Sequence, residues 1–158
     1  MKRSITLALG LIWLGVIATS CNKTKINSNR LIKAGEWTVT ELSVDGTNED
    51  ELPEWEIEDC EIYESSCYGE WVNEEGGHSE FIWQFRDNGD AFEISRQAEE
   101  EEEEEHEHDH AEEEAAAQCY AFSGVYEVIT RKKDEMEFTS TTTLGYPGNT
   151  VVIKISKK

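Results

Sequence analysis

The chain has 158 residues, a formal net charge of −21 at pH 7, and 37% hydrophobic residues. That length suits one domain built around one core. So acidic a surface repels phosphate backbones, which sets nucleic acid aside as a partner, and it attracts cations.

Lys2 and Arg3 precede an uncharged apolar run of fourteen residues, Ile5–Ala18. A bilayer-spanning helix needs about 20 residues, so residues 1–20 read as a secretory signal. Ala18-Thr19-Ser20-Cys21 then sets small residues directly before a cysteine. This resembles the lipobox of bacterial lipoproteins, with Ala18 where that pattern prefers Leu. The resemblance implies lipidation of Cys21, which becomes the mature N-terminus. Ordinary cleavage near Ser20, leaving Cys21 a plain residue, is the alternative. Each buried lipid methylene contributes about 0.8 kcal/mol, so more than one acyl chain anchors stably. The implied partner is a membrane, and the implied location is the cell envelope, facing the periplasm. Residues 21–34 are expected as the lipidated N-terminus and a polar tether.

From Gly35 onward the side chains alternate, which predicts strands. The first runs from Trp37 to Val44 and stops at Asp45-Gly46. Its phase shifts between Val39 and Leu42, which predicts a bulge. An acidic connection, residues 49–66, holds at most one short strand around Trp55–Ile57. Trp55 and Trp71 lie among acids and are expected to be partly exposed. Tyr68–Val72 pairs with Ser79–Arg86 across the Asn73–Gly77 turn. Phe81, Trp83 and Phe85 alternate, as do Phe92 and Ile94, with Asp87-Asn88-Gly89-Asp90 turning the chain between them. Phe122, Tyr126 and Val128 continue the alternation. Met136 and Phe138 follow after a turn at residues 132–135. Val151, Ile153 and Ile155 form the last strand, after a turn at residues 145–149. No amphipathic helix stands out. Seven or eight strands with short turns predict an all-β fold, a small antiparallel meander closing into a barrel. An open sandwich is the alternative. Inward aromatics either fill such a barrel or line a cavity in it. Trp83, Phe85, Phe92 and Tyr126 are the candidate lining residues.

Leu31–Val39, with Gly35 and Trp37, resembles the Gly-x-Trp opening of a lipocalin-like domain. The Phe81–Gly89 hairpin, Cys119 and Gly124-Val125-Tyr126 follow in the order of that family, with Tyr126 where Trp is usual. The likeness spans roughly Leu31–Ile155 apart from the acidic run, and it implies a lipocalin-like domain over residues 35–158 with an acidic insertion at 98–118. A Trp placed like Trp37 can close the narrow end of a barrel while its N–H finds an acceptor. With Cys21 lipidated, Cys60, Cys67 and Cys119 remain in an oxidising compartment, where one disulfide is expected. Three pairings are open on the sequence. The family resemblance implies Cys119 as one partner, joined to Cys60 or Cys67; Cys60–Cys67 is the plain alternative. The odd cysteine is free or links a second chain.

The run Glu99–Glu114 holds twelve acids and three histidines, and it leaves −9 on the rest of the chain. His106, His108 and His110 alternate with acids. In an extended chain all three project to one side; in a helix only His106 and His110 share a face. Imidazole and carboxylate suit zinc or copper. The same run also reads as a self-repelling solvated insertion with weak metal affinity. GxSxG, HExxH, GxxxxGK and GxGxxG are all missing from the sequence, so no enzymatic activity is expected and no cofactor is assigned. Two functions follow as expectations. One is an anchored lipocalin-like module that binds a small apolar ligand or contacts envelope proteins. The other is a tethered zinc or copper buffer.

Overall fold

The computed structural model describes residues 23–58, 60, 66–96 and 110–158. In chain order the elements are α1 (Lys23–Ala34), β1 (Glu36–Val44), β2 (Thr47–Asn48), β3 (Glu54–Ile57), β4 (Cys67–Val72), β5 (His78–Arg86), β6 (Ala91–Arg96), α2 (His110–Phe122), β7 (Gly124–Arg131), β8 (Glu135–Ser140) and β9 (Val151–Lys157). The strands pair antiparallel in the order β1-β3-β4-β5-β6-β7-β8-β9, and β9 returns to β1, with Trp37 opposite Lys157 and Val44 opposite Val151. The meander therefore closes into an antiparallel barrel rather than an open sandwich. Short β2 only folds back on the end of β1. The register of β1 against β9 slips between Val39 and Glu41, which is the bulge that the phase shift predicts.

Alternation decides what fills the barrel. On β1, Trp37, Val39 and Leu42 point inward; on β9, Val151, Ile153 and Ile155 do the same, and all six are buried. Trp83, Phe85, Phe92 and Tyr126 are between 0% and 6% exposed and belong to the core cluster. Phe92 of β6 stacks on Phe138 of β8 at 4.6 Å and lies 6.1 Å from Trp55 of β3. Trp55 also reaches Phe138 at 6.2 Å. Rings from facing walls therefore meet, as expected of an eight-stranded barrel whose interior is about one side chain deep from each wall. The expectation of partly exposed Trp55 and Trp71 is corrected, since both are fully buried. The reason is strand alternation: Glu54, Glu56 and Glu70 take the other face while each Trp turns inward.

Helix α1 replaces the expected tether. It buries Asn27, Ser28 and Leu31 against one end of the barrel. Asn27 Nδ2 donates to the Gly89 carbonyl at 3.2 Å, and Arg30 Nη1 donates to the Arg131 carbonyl at 2.6 Å. Trp37 is fully buried and its Nε1 donates to the Leu31 carbonyl at 3.2 Å, so its N–H has an acceptor at this end. Gly35, at φ +71°, stops the helix and starts β1.

The cysteine pairing implied by the family resemblance is also corrected. Cys60 and Cys67 form the disulfide, their Cα atoms 5.6 Å apart, across the β3–β4 connection. Cys119 is a free thiol on the buried face of α2, so it offers no accessible sulfur for a link to a second chain. Burial pushes its pKa up to about 12.

Candidate metal site at the acidic end of the barrel

The strand directions divide the barrel into two ends. The α1 end carries the 87–90 and 132–134 turns and the C-terminus. The other end carries segments 45–53, 73–77 and 141–150, with α2 lying across it. Of the expected insertion, residues 98–109 lie outside the described residues, and so do His106 and His108. Residues 110–118 are the first part of α2, which corrects both the insertion boundary and the expectation of no helix. Ala115, Ala116 and Ala117 favour helix, and Glu112 and Glu113 suit its first turn. Ala115, Cys119 and Phe122, spaced at i, i+4 and i+7, form the buried stripe.

Several contacts fix α2 on the barrel. Trp71 Nε1 donates to Gln118 Oε1 at 2.8 Å, and Gln118 Nε2 donates to the Glu51 carbonyl at 3.3 Å. Asn73 organises the β4–β5 turn: its Oδ1 accepts from Gly77 N–H at 2.7 Å and its Nδ2 donates to the Ala111 carbonyl at 2.9 Å. Gly77 makes this approach feasible, because an added Cβ would come within 1.9 Å of the Ala111 carbonyl oxygen. The turn is thereby held against the residue that follows His110.

This clamp brings together groups far apart in sequence. Ligand atoms of Glu75 on the turn and of His110 and Glu114 on α2 all lie within 4.8 Å of one another. His110 and Glu114 share a helix face because they are four residues apart. His110 and Glu75 are exposed, and Glu114 is half-buried. One imidazole and two carboxylates make a donor set suited to zinc or copper, with open positions for water. More carboxylates surround them. Glu114 above all, then slight desolvation, Glu74, Glu75 and Asp50, hold the carboxyl of the exposed Glu51 above its ordinary range. A cleft of about 400 Å³ beside α2 is lined by Glu49, Asp50, Glu51 and Glu114 together with Phe122 and Tyr146. Segments 45–53, 73–77, 110–122 and 141–150 contain no Lys or Arg, so no ammonium or guanidinium on them offsets this charge.

Of the three histidines singled out in the sequence, His110 is the one within the described residues. Its partners Glu75 and Glu114 were not singled out. Glu114 was legible as i+4 of His110 once a helix is assumed, whereas Glu75 had no sequence signal, since only the fold brings it near. The fourth histidine, His78, hydrogen-bonds Glu70 Oε2 through Nδ1 at 2.6 Å and stays exposed. Searches of family models, of curated proteins and of solved structures return no match to this chain.

Proposed function

We propose that this chain is a lipid-anchored, non-enzymatic envelope protein in which a lipocalin-like barrel is the rigid scaffold and its acidic end gathers zinc or copper. The observation that carries this reading is the convergence of Glu75, His110 and Glu114 from two separate segments. The clamp of Asn73 and Gln118 supports it, because a ligand set held by a folded barrel avoids part of the ordering cost of a loop chelate. The ring contacts between facing walls weigh against a small apolar ligand in the interior. The anchor rests on Cys21 at the end of the apolar run.

Zinc titration of the full chain by calorimetry tests the site, with Glu75→Gln and His110→Ala as comparisons. Each variant should weaken binding by about tenfold or more, the scale reported for loss of groups that support a metal. Unchanged affinity in both variants sinks the metal reading. The mass of the mature N-terminal peptide tests the anchor independently, because an unmodified Cys21 removes it.

A further inference from the structure

Basic residues gather at the α1 end of the barrel, interspersed with Glu36, Glu58, Asp87, Asp90, Asp134 and Glu135. Twelve Lys and Arg follow the leader sequence. Nine of them sit at the α1 end: Lys23, Lys25, Arg30 and Lys33 on α1, Arg131, Lys132 and Lys133 at the β7–β8 turn, and Lys157 and Lys158 at the close of β9. Several are neutralised where they stand. Asp90 takes Lys23 at 3.4 Å and also pairs with Arg131, Glu135 takes Lys132 at 3.0 Å, and Glu54 takes Lys158 at 2.7 Å. Lys33, Lys133 and Lys157 make no ion pair among the described residues, and all three are exposed. They converge with Arg30 on one cleft of about 170 Å³, lined also by Asn29 and Asp134. In a chain of net charge −21, these four cations facing one acid stand out.

We propose that this cleft and its lysines are a docking surface for anionic phospholipid headgroups. The inference rests on the anchored reading in one respect: Cys21 lies two residues before the start of α1. Two residues span at most about 7 Å, less than the roughly 8 Å screening length of physiological salt. Lipid on Cys21 therefore holds the start of α1 within electrostatic reach of the bilayer surface, and Lys33 follows about 15 Å further along the helix, so the cleft meets the headgroups where α1 lies along the membrane. Glu56 and Glu58 lie across β1 from β9, so contact is made by the β7–β8–β9 side of the rim and not by the β3 side. The acidic end, with Glu75, His110 and Glu114, then points away from the bilayer, where its charge is not repelled by the headgroups. Each basic group near an anionic surface strengthens the association about fivefold.

The test places the mature full-length protein on vesicles of phosphatidylcholine alone and of phosphatidylcholine with phosphatidylglycerol. Reaction of each lysine with an amine reagent is followed by mass spectrometry. Lys33, Lys133 and Lys157 should react about tenfold more slowly on the anionic vesicles, while Lys154, held by Glu41 on the barrel wall at 2.7 Å, keeps one rate on both. The difference should vanish in about 1 M salt, where the screening length is about 3 Å. Equal rates on the two vesicle types overturn the proposal. Equal slowing by inorganic phosphate alone also overturns it, since the cleft is then a site for free anions. Flotation with phosphatidylcholine vesicles and the mass of the Cys21 peptide report the anchor separately, so failure of the anchor and failure of headgroup contact give different results.

Discussion

Replacing Phe92 by Ala tests whether the barrel is filled. Phe92 is fully buried and its ring meets four others: Phe138 at 4.6 Å, Phe85 at 4.8 Å, and Trp55 and Trp83 each at 6.1 Å. Truncation removes a whole ring from the point where β3, β5, β6 and β8 side chains meet. The neighbours are themselves rigid aromatics, so they relax little into the void. Phe→Ala at such sites costs about 3–5 kcal/mol, from lost transfer energy plus the cavity. For a chain of this size each kcal/mol lowers Tm by about 2–4 °C, so the expected drop is about 6–20 °C. Urea denaturation with an unchanged m value, alongside a thermal scan, measures it. A loss below about 1.5 kcal/mol would refute the reasoning, because it would mean that Phe92 borders open space.

Three further outcomes follow. Gly77→Ala puts a methyl 1.9 Å from the Ala111 carbonyl oxygen, so hydrogen exchange at residues 110–116 should speed up and zinc affinity should fall with it; unaltered exchange would mean that α2 is not held by this contact. The Cys119 thiol is favoured neutral in the folded chain, with its pKa pushed from 9.0 up to about 12 by burial. The unfolded chain therefore releases this proton first, and stability should fall above about pH 9 by up to about 1.4 kcal/mol per pH unit, a slope that Cys119→Val should reduce and that urea midpoints between pH 8 and about 11 can read. Cys60→Ser with Cys67→Ser opens a cross-link of seven-residue separation, which should cost about 2–3 kcal/mol on loop-closure entropy; a variant as stable as the parent would show that the bridge contributes nothing.

The barrel was legible because its strands carry the simplest sequence signal, one face apolar and one face polar. Phe81, Trp83 and Phe85 on β5, or Val151, Ile153 and Ile155 on β9, need no tertiary knowledge to be assigned inward. The acidic composition around Trp55 and Trp71 suggests exposure, whereas their alternation with Glu54, Glu56 and Glu70 turns both inward. The helices were harder. Helix α1 buries Asn27 and Ser28 beside Leu31, so polar side chains, Asn27 among them donating to the Gly89 carbonyl, take the place of an apolar stripe. Helix α2 buries Ala115, Cys119 and Phe122, a correct helical spacing obscured by small residues and by the acids before them. In the candidate site, His110 was visible as a residue type and Glu75 was not, because its distance from His110 depends on Asn73, Gly77 and the closure of the barrel. The Cys60–Cys67 bridge is one of three pairings open on the sequence, and a family resemblance points elsewhere; in the fold Cys60 and Cys67 meet across the β3–β4 connection while Cys119 lies on the buried face of α2.

The proposed cation site at the acidic end depends on the folded barrel holding its turn at Glu75 against the start of α2. The most direct measurement is nitrogen NMR of the imidazole rings in the full-length protein during addition of zinc, following the four histidines separately. The His110 ring nitrogens should shift early in the titration, and the response should be lost in Glu75→Gln. Zinc uptake that leaves the His110 ring unchanged, or a His110 response that survives Glu75→Gln in full, would contradict the proposed site.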